Sequence, residues 1–147
     1  IEMNIKLTLA FVGVCLLMVS CNDPKQEEIK KLKTKTIELH DAVMPRMGEV
    51  AELSSGLKEF RAQIISDTTD SAATVRNTIS KQIETLDEAY EGMMAWMADY
   101  KPGFDNDNPA DSAIVYYSKQ EMEIKEVKTK IEESIDEAGK LLEEIKP

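Results

Sequence analysis

Apolar side chains recur at alternating steps of three and four residues along most of the chain that follows Cys21. This spacing places one side chain per turn on the same face of a helix, as in the seam of a coiled coil. Thr36 and Arg46 interrupt the first seam, and Pro45 lies inside it. Because proline removes a backbone hydrogen bond, we expect a kink at Pro45. The first seam comprises Ile29, Leu32, Thr36, Leu39, Val43, Arg46, Val50, Leu53, Leu57, Phe60 and Ile64.

Two further apolar stripes follow, separated by short polar connections. The second predicted helix ends at Lys101-Pro102-Gly103, and the third opens at Asn108 with Pro109 next. No segment alternates between polar and apolar residues for long enough to indicate a strand. The sequence therefore predicts an all-α fold, an antiparallel three-helix bundle of the coiled-coil type. The second stripe holds Ala72, Val75, Ile79, Ile83, Leu86, Tyr90, Met93, Met97 and Tyr100, and the third holds Ile114, Tyr117, Ile124, Val127, Ile131, Ile135, Ala138, Leu142 and Ile145.

The first residues have the pattern of an export signal. Lys6 precedes the apolar run from Leu7 to Val19, which is shorter than the about 20 residues that a bilayer crossing needs. We therefore predict that residues 1–20 form a signal peptide that is removed. Ile1 and Glu2 stand before Met3 and are interpreted as an upstream extension of the reading frame.

Met18-Val19-Ser20-Cys21 resembles the lipobox of bacterial lipoproteins, in which the cysteine is acylated and becomes the new amino terminus. This resemblance implies lipid attachment at Cys21 and a location in the bacterial cell envelope, either periplasmic or exposed at the surface. The alternative is a soluble secreted protein, in which Cys21 could form disulfides only between chains.

Residues 21–36 are predicted to be the lipid anchor and a helical stalk, and residues 37–147 the three-helix bundle. The stalk assignment rests on register, because antiparallel folding leaves residues 24–36 without a partner on the second helix. Five lysines and two glutamates make this segment basic, which suits an anionic membrane surface, and its helix would lift the body by about 20 Å. The alternative is a frayed, solvated helix end.

Charge and motifs exclude several functions. A net charge of −10 repels phosphate backbones, so we expect no nucleic-acid partner. A single histidine excludes a zinc site of the H-E-x-x-H type, and the sequence contains no G-x-S-x-G or phosphate-binding loop. We therefore expect a non-enzymatic interaction or scaffold protein, attached to a membrane through Cys21 and able to bind another envelope protein.

Methionines are concentrated in two segments that the register brings to the same level. If the first turn is centred between Thr68 and Thr69, His40 lies level with Met97 on the second helix. A second fold about Asp105 puts Tyr117 of the third helix level with Met93. The candidate metal ligands, which are spaced to share a helix face on each side, are His40, Met44, Met47, Met93 and Met97. The side chains expected to line a pocket beside them are Met94, Trp96, Tyr90 and Tyr117.

Three interpretations of this cluster stay open. Thioethers with one imidazole are soft ligands suited to Cu(I), which makes a Cu(I)-binding or copper-buffering protein the first alternative function. A carrier of a small apolar ligand is the second. In the third interpretation the methionines simply fill irregular gaps in the core, which a kink at Pro45 would create.

The two methionine segments also carry a family resemblance. His40-Asp41-Ala42-Val43-Met44-Pro45-Arg46-Met47 and Met93-Met94-Ala95-Trp96-Met97 are similar to the H-D-x-x-M-P-[KR]-M and M-M-x-W-M segments of small Bacteroidetes-type lipoproteins that are often labelled "viral A-type inclusion protein". The resemblance implies an envelope location and a helical fold, and it implies no particular activity. Some members have a histidine after the second segment, where this chain has Ala98.

Overall fold

The computed structural model describes residues 23–145, and within them every long element is a helix. Helix α1 spans Pro24–Val43, α2 Met47–Gln63, α3 Asp70–Asp99 and α4 Ala110–Ile145. The short 3-10 turn Met44–Arg46 links α1 to α2, and a second one, Phe104–Asn106, lies between α3 and α4. The predicted all-α fold is confirmed. The signal peptide, Cys21 and the last two residues lie outside the described residues.

The helix starts follow from local chemistry. The Asp23 carboxylate accepts a hydrogen bond of 3.0 Å from the backbone N–H of Lys25, and Pro24 occupies the first helical position, where no N–H is needed. At α3 the Thr69 hydroxyl accepts from the backbone N–H of Ala72. At Pro45, where we expected a kink, the 3-10 turn interrupts the α-helix, and α1 and α2 follow each other as one rod.

Helix α3 folds back antiparallel to this rod, and α4 then runs beside it in the same direction as α1. Ser54 of α2 donates to Asp87 of α3 at 3.0 Å, and Arg61 donates to Ser80. On the other side the Gln82 side chain donates to the carbonyl of Ser134, which ties α3 to α4. Three rods therefore surround one core.

The main core is aliphatic with methionine and Trp96 at one end, and it continues the heptad seams. Three side chains of α2 and α3 have no exposed surface: Leu57, Ile79 and Leu86. The same cluster includes two fully buried side chains of α4, Ile124 and Ile131. Because a buried leucine or isoleucine contributes about 1.5–3 kcal/mol, this seam is the main source of stability. Seam residues Leu39, Leu53 and Phe60 are only partly buried, at the edge of the same core.

A second, smaller core joins the start of α1 to the start of α4. Ile29 is 2% exposed and packs with Ala113 and Tyr117, which have no exposed surface. Lys25 also pairs with Asp111 of α4 at 2.8 Å. Residues 24–36, which we expected to project as a stalk, are therefore packed along α4, and the stalk prediction is corrected for this segment. The register argument considered only the second helix as a partner, and the third supplies the apolar face.

Among residues 23–145, no helix combines the length and the apolar character that a membrane crossing requires.

Candidate functional site

His40 of α1 and Met97 of α3 meet at the level that the sequence register predicts. The Nε2 atom of His40 lies 3.4 Å from the Met97 Sδ atom. The two residues are 57 positions apart in sequence, so the antiparallel folding of α3 creates the contact. The predicted level of His40 and Met97 is therefore correct.

The other ring nitrogen of His40 is held by its neighbour in sequence. Nδ1 of His40 lies 2.8 Å from a carboxylate oxygen of Asp41. The His40 side chain is 20% exposed, whereas that of Asp41 is 68% exposed. The imidazole is thus fixed between a solvated carboxylate on one edge and a thioether on the other, with part of its surface open to solvent.

The remaining methionines of the predicted site belong to the core beside this contact. Met47 and Met93 are buried, at 6% and 0% exposure, and Met44 and Met94 are partly buried against the same cluster. Met44 follows His40 by one helical turn, and its backbone N–H donates to the His40 carbonyl. The structure therefore places all five predicted ligands at one end of the main core, with the His40–Met97 contact as the polar member of the group.

Trp96 covers this end of the core. Its ring centroid lies 5.6 Å from that of His40 and 4.9 Å from that of Tyr100, on which it stacks. Trp96 is 7% exposed, and within residues 23–145 its indole N–H has no hydrogen-bond partner. The side-chain carbonyl of Gln120, which is 5% exposed, also lacks a partner there.

No protein-family model, curated protein or solved structure matches this chain.

The predicted pocket of four side chains is wrong for two of its members. Tyr90 is 40% exposed and lines a groove with Ser54 and Asp87, away from the His40 contact. Tyr117 lies in the second core, where its ring faces those of Tyr100 and Tyr116.

The misplacement of Tyr117 has a simple origin in the second connection. Folding about Asp105 assumed a symmetrical turn, but this connection contains a 3-10 turn and α4 begins only at Ala110. Tyr117 therefore lies about two turns from its expected level beside Met93, with its ring centroid 6.4 Å from that of Tyr100.

A polar cluster that the sequence analysis missed holds this connection in place. The Tyr117 hydroxyl donates to a carboxylate oxygen of Asp105 at 2.7 Å, and the ammonium group of Lys33 lies 2.8 Å from the same oxygen. Lys33 also lies 5.3 Å from the centroid of the Tyr117 ring. The cluster thus joins α1, the second connection and α4. One sequence signal was available, because a tyrosine on a heptad seam needs a partner for its hydroxyl.

The electrostatics of this cluster follow from its contacts. The hydrogen bond from Lys33 lowers the pKa of the Asp105 carboxyl, and the bond from Tyr117 adds to the effect. Burial raises the pKa of Tyr117 to about 12, with a further contribution from its hydrogen bond to Asp105. At neutral pH the cluster is therefore an ion pair beside a neutral phenol, and it ties α1 to the second connection and to α4.

Proposed function

We propose that this chain is a lipid-anchored protein of the bacterial envelope whose helical bundle docks another envelope protein without catalysing a reaction. The anchor part of the proposal rests on the export signal and on the lipobox resemblance at Cys21. Both features belong to the sequence before residue 23.

A groove along α1 is the observation that supports docking. It has a volume of about 670 Å³, is open to solvent, and is lined by side chains of α1 and by Glu121 of α4. Seven of its nine lining side chains are charged, with both signs represented: Glu27, Glu28, Lys30, Lys31, Leu32, Thr34, Lys35, Glu38 and Glu121. The groove lies at the start of the bundle, close in sequence to the predicted lipid attachment site.

The chemistry of the groove favours an amphipathic helix of another envelope protein. A row of charges of both signs selects a partner by complementary pairing, as flanking charges do between paired helices. Two apolar side chains adjoin the groove residues in sequence: Ile37 is 39% exposed and Met122 is 63% exposed. They would give such a helix an apolar contact beside the charged one.

A photo-crosslinking amino acid at Thr34 tests this proposal in intact membranes that contain the full chain. Thr34 lines the groove, whereas exposed Thr78 on α3 does not and provides a matched control. We expect one discrete adduct from position 34, none from position 78, and loss of the adduct when Lys31 and Lys35 are both changed to Glu. Equal crosslinking from both positions, or insensitivity to the charge reversal, would contradict docking in the groove.

The anchor is tested separately with Cys21→Ala. Because the lipoprotein signal peptidase acts on the acylated cysteine, this change should leave an uncleaved precursor that does not incorporate labelled fatty acid. Normal processing and unchanged labelling would contradict lipidation at Cys21 and leave the docking proposal unaffected.

A further inference from the structure

We propose that His40 and Met97 bind Cu(I) through Nε2 and Sδ, where the C-terminal end of α1 meets the C-terminal end of α3. This metal site is separate from the docking groove and goes beyond the proposed docking function.

The two ring nitrogens of His40 face different groups. An ionised carboxylate only accepts hydrogen bonds, so Nδ1 is the donor in the contact of 2.8 Å with Asp41. Nε2 faces the Met97 sulfur at 3.4 Å, and a thioether has only lone pairs to offer. An imidazole nitrogen and a thioether sulfur are both metal ligands, so one metal ion can bind both atoms here.

The separation of the two atoms matches the size of a metal site. With the bond lengths of the d¹⁰ ion Zn²⁺, about 2.0 Å to nitrogen and about 2.3 Å to sulfur, two ligand atoms lie about 3.5 Å apart at a tetrahedral angle and about 4.3 Å apart on opposite sides of the ion. The observed distance between Nε2 and Sδ is 3.4 Å. The pair therefore has the spacing of two adjacent ligands of an ion that takes further ligands.

The ligand types select the metal. Thioethers are soft ligands that favour Cu(I) over harder ions such as Mg²⁺ or Ca²⁺. Met44, one turn after His40 and partly buried in the same cluster, is the candidate for a third ligand. The partial exposure of His40, 20%, gives an ion a route from solvent into a largely apolar site.

Asp41 occupies the position of a carboxylate that supports a metal-binding histidine without binding the metal itself. Histidines that bind metals commonly donate their other ring N–H to a carboxylate, which sets the tautomer and the ring orientation. The contact between Nδ1 and Asp41 has this form, so the metal proposal gives Asp41 a role as a positioning residue.

Titration of the full chain in detergent with Cu(I) under a reducing agent, and with Ag(I) as an air-stable analogue, tests the proposal at neutral pH. Trp96 is the only tryptophan and its ring lies 5.6 Å from that of His40, so its fluorescence reports on the site. We expect saturable quenching at one equivalent with both ions and none with Zn²⁺ at the same concentration. Linear, non-saturating quenching, or no response, would overturn the proposal and leave an N–H···S hydrogen bond between His40 and Met97.

Variants separate metal binding from packing. Loss of a residue that supports a metal ligand commonly weakens metal binding by about 10–100-fold. His40→Gln and Met97→Leu remove proposed ligands, so each should weaken Cu(I) binding by more than that. Asp41→Asn should weaken it by about tenfold. Met122→Leu is the matched control, since Met122 is 63% exposed, and it should bind as the parent does. Leucine keeps the volume and apolarity of methionine, so Met97→Leu should fold normally, which circular dichroism checks. Parent-like affinity in both His40→Gln and Met97→Leu would refute these ligands.

Discussion

Ile29→Ala tests whether the start of α1 is a packed part of the bundle. Ile29 is 2% exposed in the second core, so truncation removes most of a buried side chain and leaves a cavity beside Tyr117. Comparable substitutions cost about 2–5 kcal/mol. Ile37→Ala on the same helix is the matched control, because Ile37 is 39% exposed and its truncation should cost about 0.5–1 kcal/mol.

Urea denaturation of the protein, followed by circular dichroism, measures both variants. With a urea dependence of about 2 kcal/mol per molar, Ile29→Ala should lower the midpoint by roughly 1–2.5 M and Ile37→Ala by no more than about 0.5 M. Amide hydrogen exchange adds a local readout, because a packed segment is protected to a larger opening free energy than a frayed one. Equal, small effects of the two variants, together with fast exchange of residues 29–36, would restore the stalk interpretation.

Three further predictions concern stability. Asp105 has a lowered pKa in the folded state, so its contribution to the free energy of unfolding is present above the unfolded pKa of about 3.9. That contribution is lost as pH falls through the folded pKa. Asp105→Asn should therefore cost about 1–3 kcal/mol at pH 7 and reduce the acid sensitivity of the melting temperature. Tyr117 has a pKa raised to about 12, so its contribution to the free energy of unfolding is complete below about pH 10 and is lost as pH rises toward 12. Melting curves of Tyr117→Phe should not show this loss of stability at high pH. Leu57→Ala, at a site with no exposed surface, should cost about 2–5 kcal/mol in urea denaturation, and a cost below about 0.5 kcal/mol would remove Leu57 from the core.

The helices and the level of the methionine cluster could be predicted from sequence because both depend on local rules. Apolar spacing alone identifies the buried faces that include Ile79 and Leu86, and Pro45 breaks the first rod where its missing N–H requires it. The connection between α2 and α3 is short, so it leaves little choice of register and brings His40 to Met97. A short connection fixes the register of the two helices that it joins, so it also determines contacts between residues far apart in sequence.

The position of α4 was decided only by tertiary packing. The longer connection before it permits several registers, and the one adopted buries Ile29 against Tyr117 and satisfies the Tyr117 hydroxyl through Asp105 and Lys33. The heptad pattern of the sequence does not indicate that these residues meet. The sequence by itself determined which faces are apolar and where helices begin and end, because those depend on neighbours a few residues away. Which apolar faces meet depends on the free energy of the whole bundle, so only the tertiary structure could show that the basic start of α1 lies against α4.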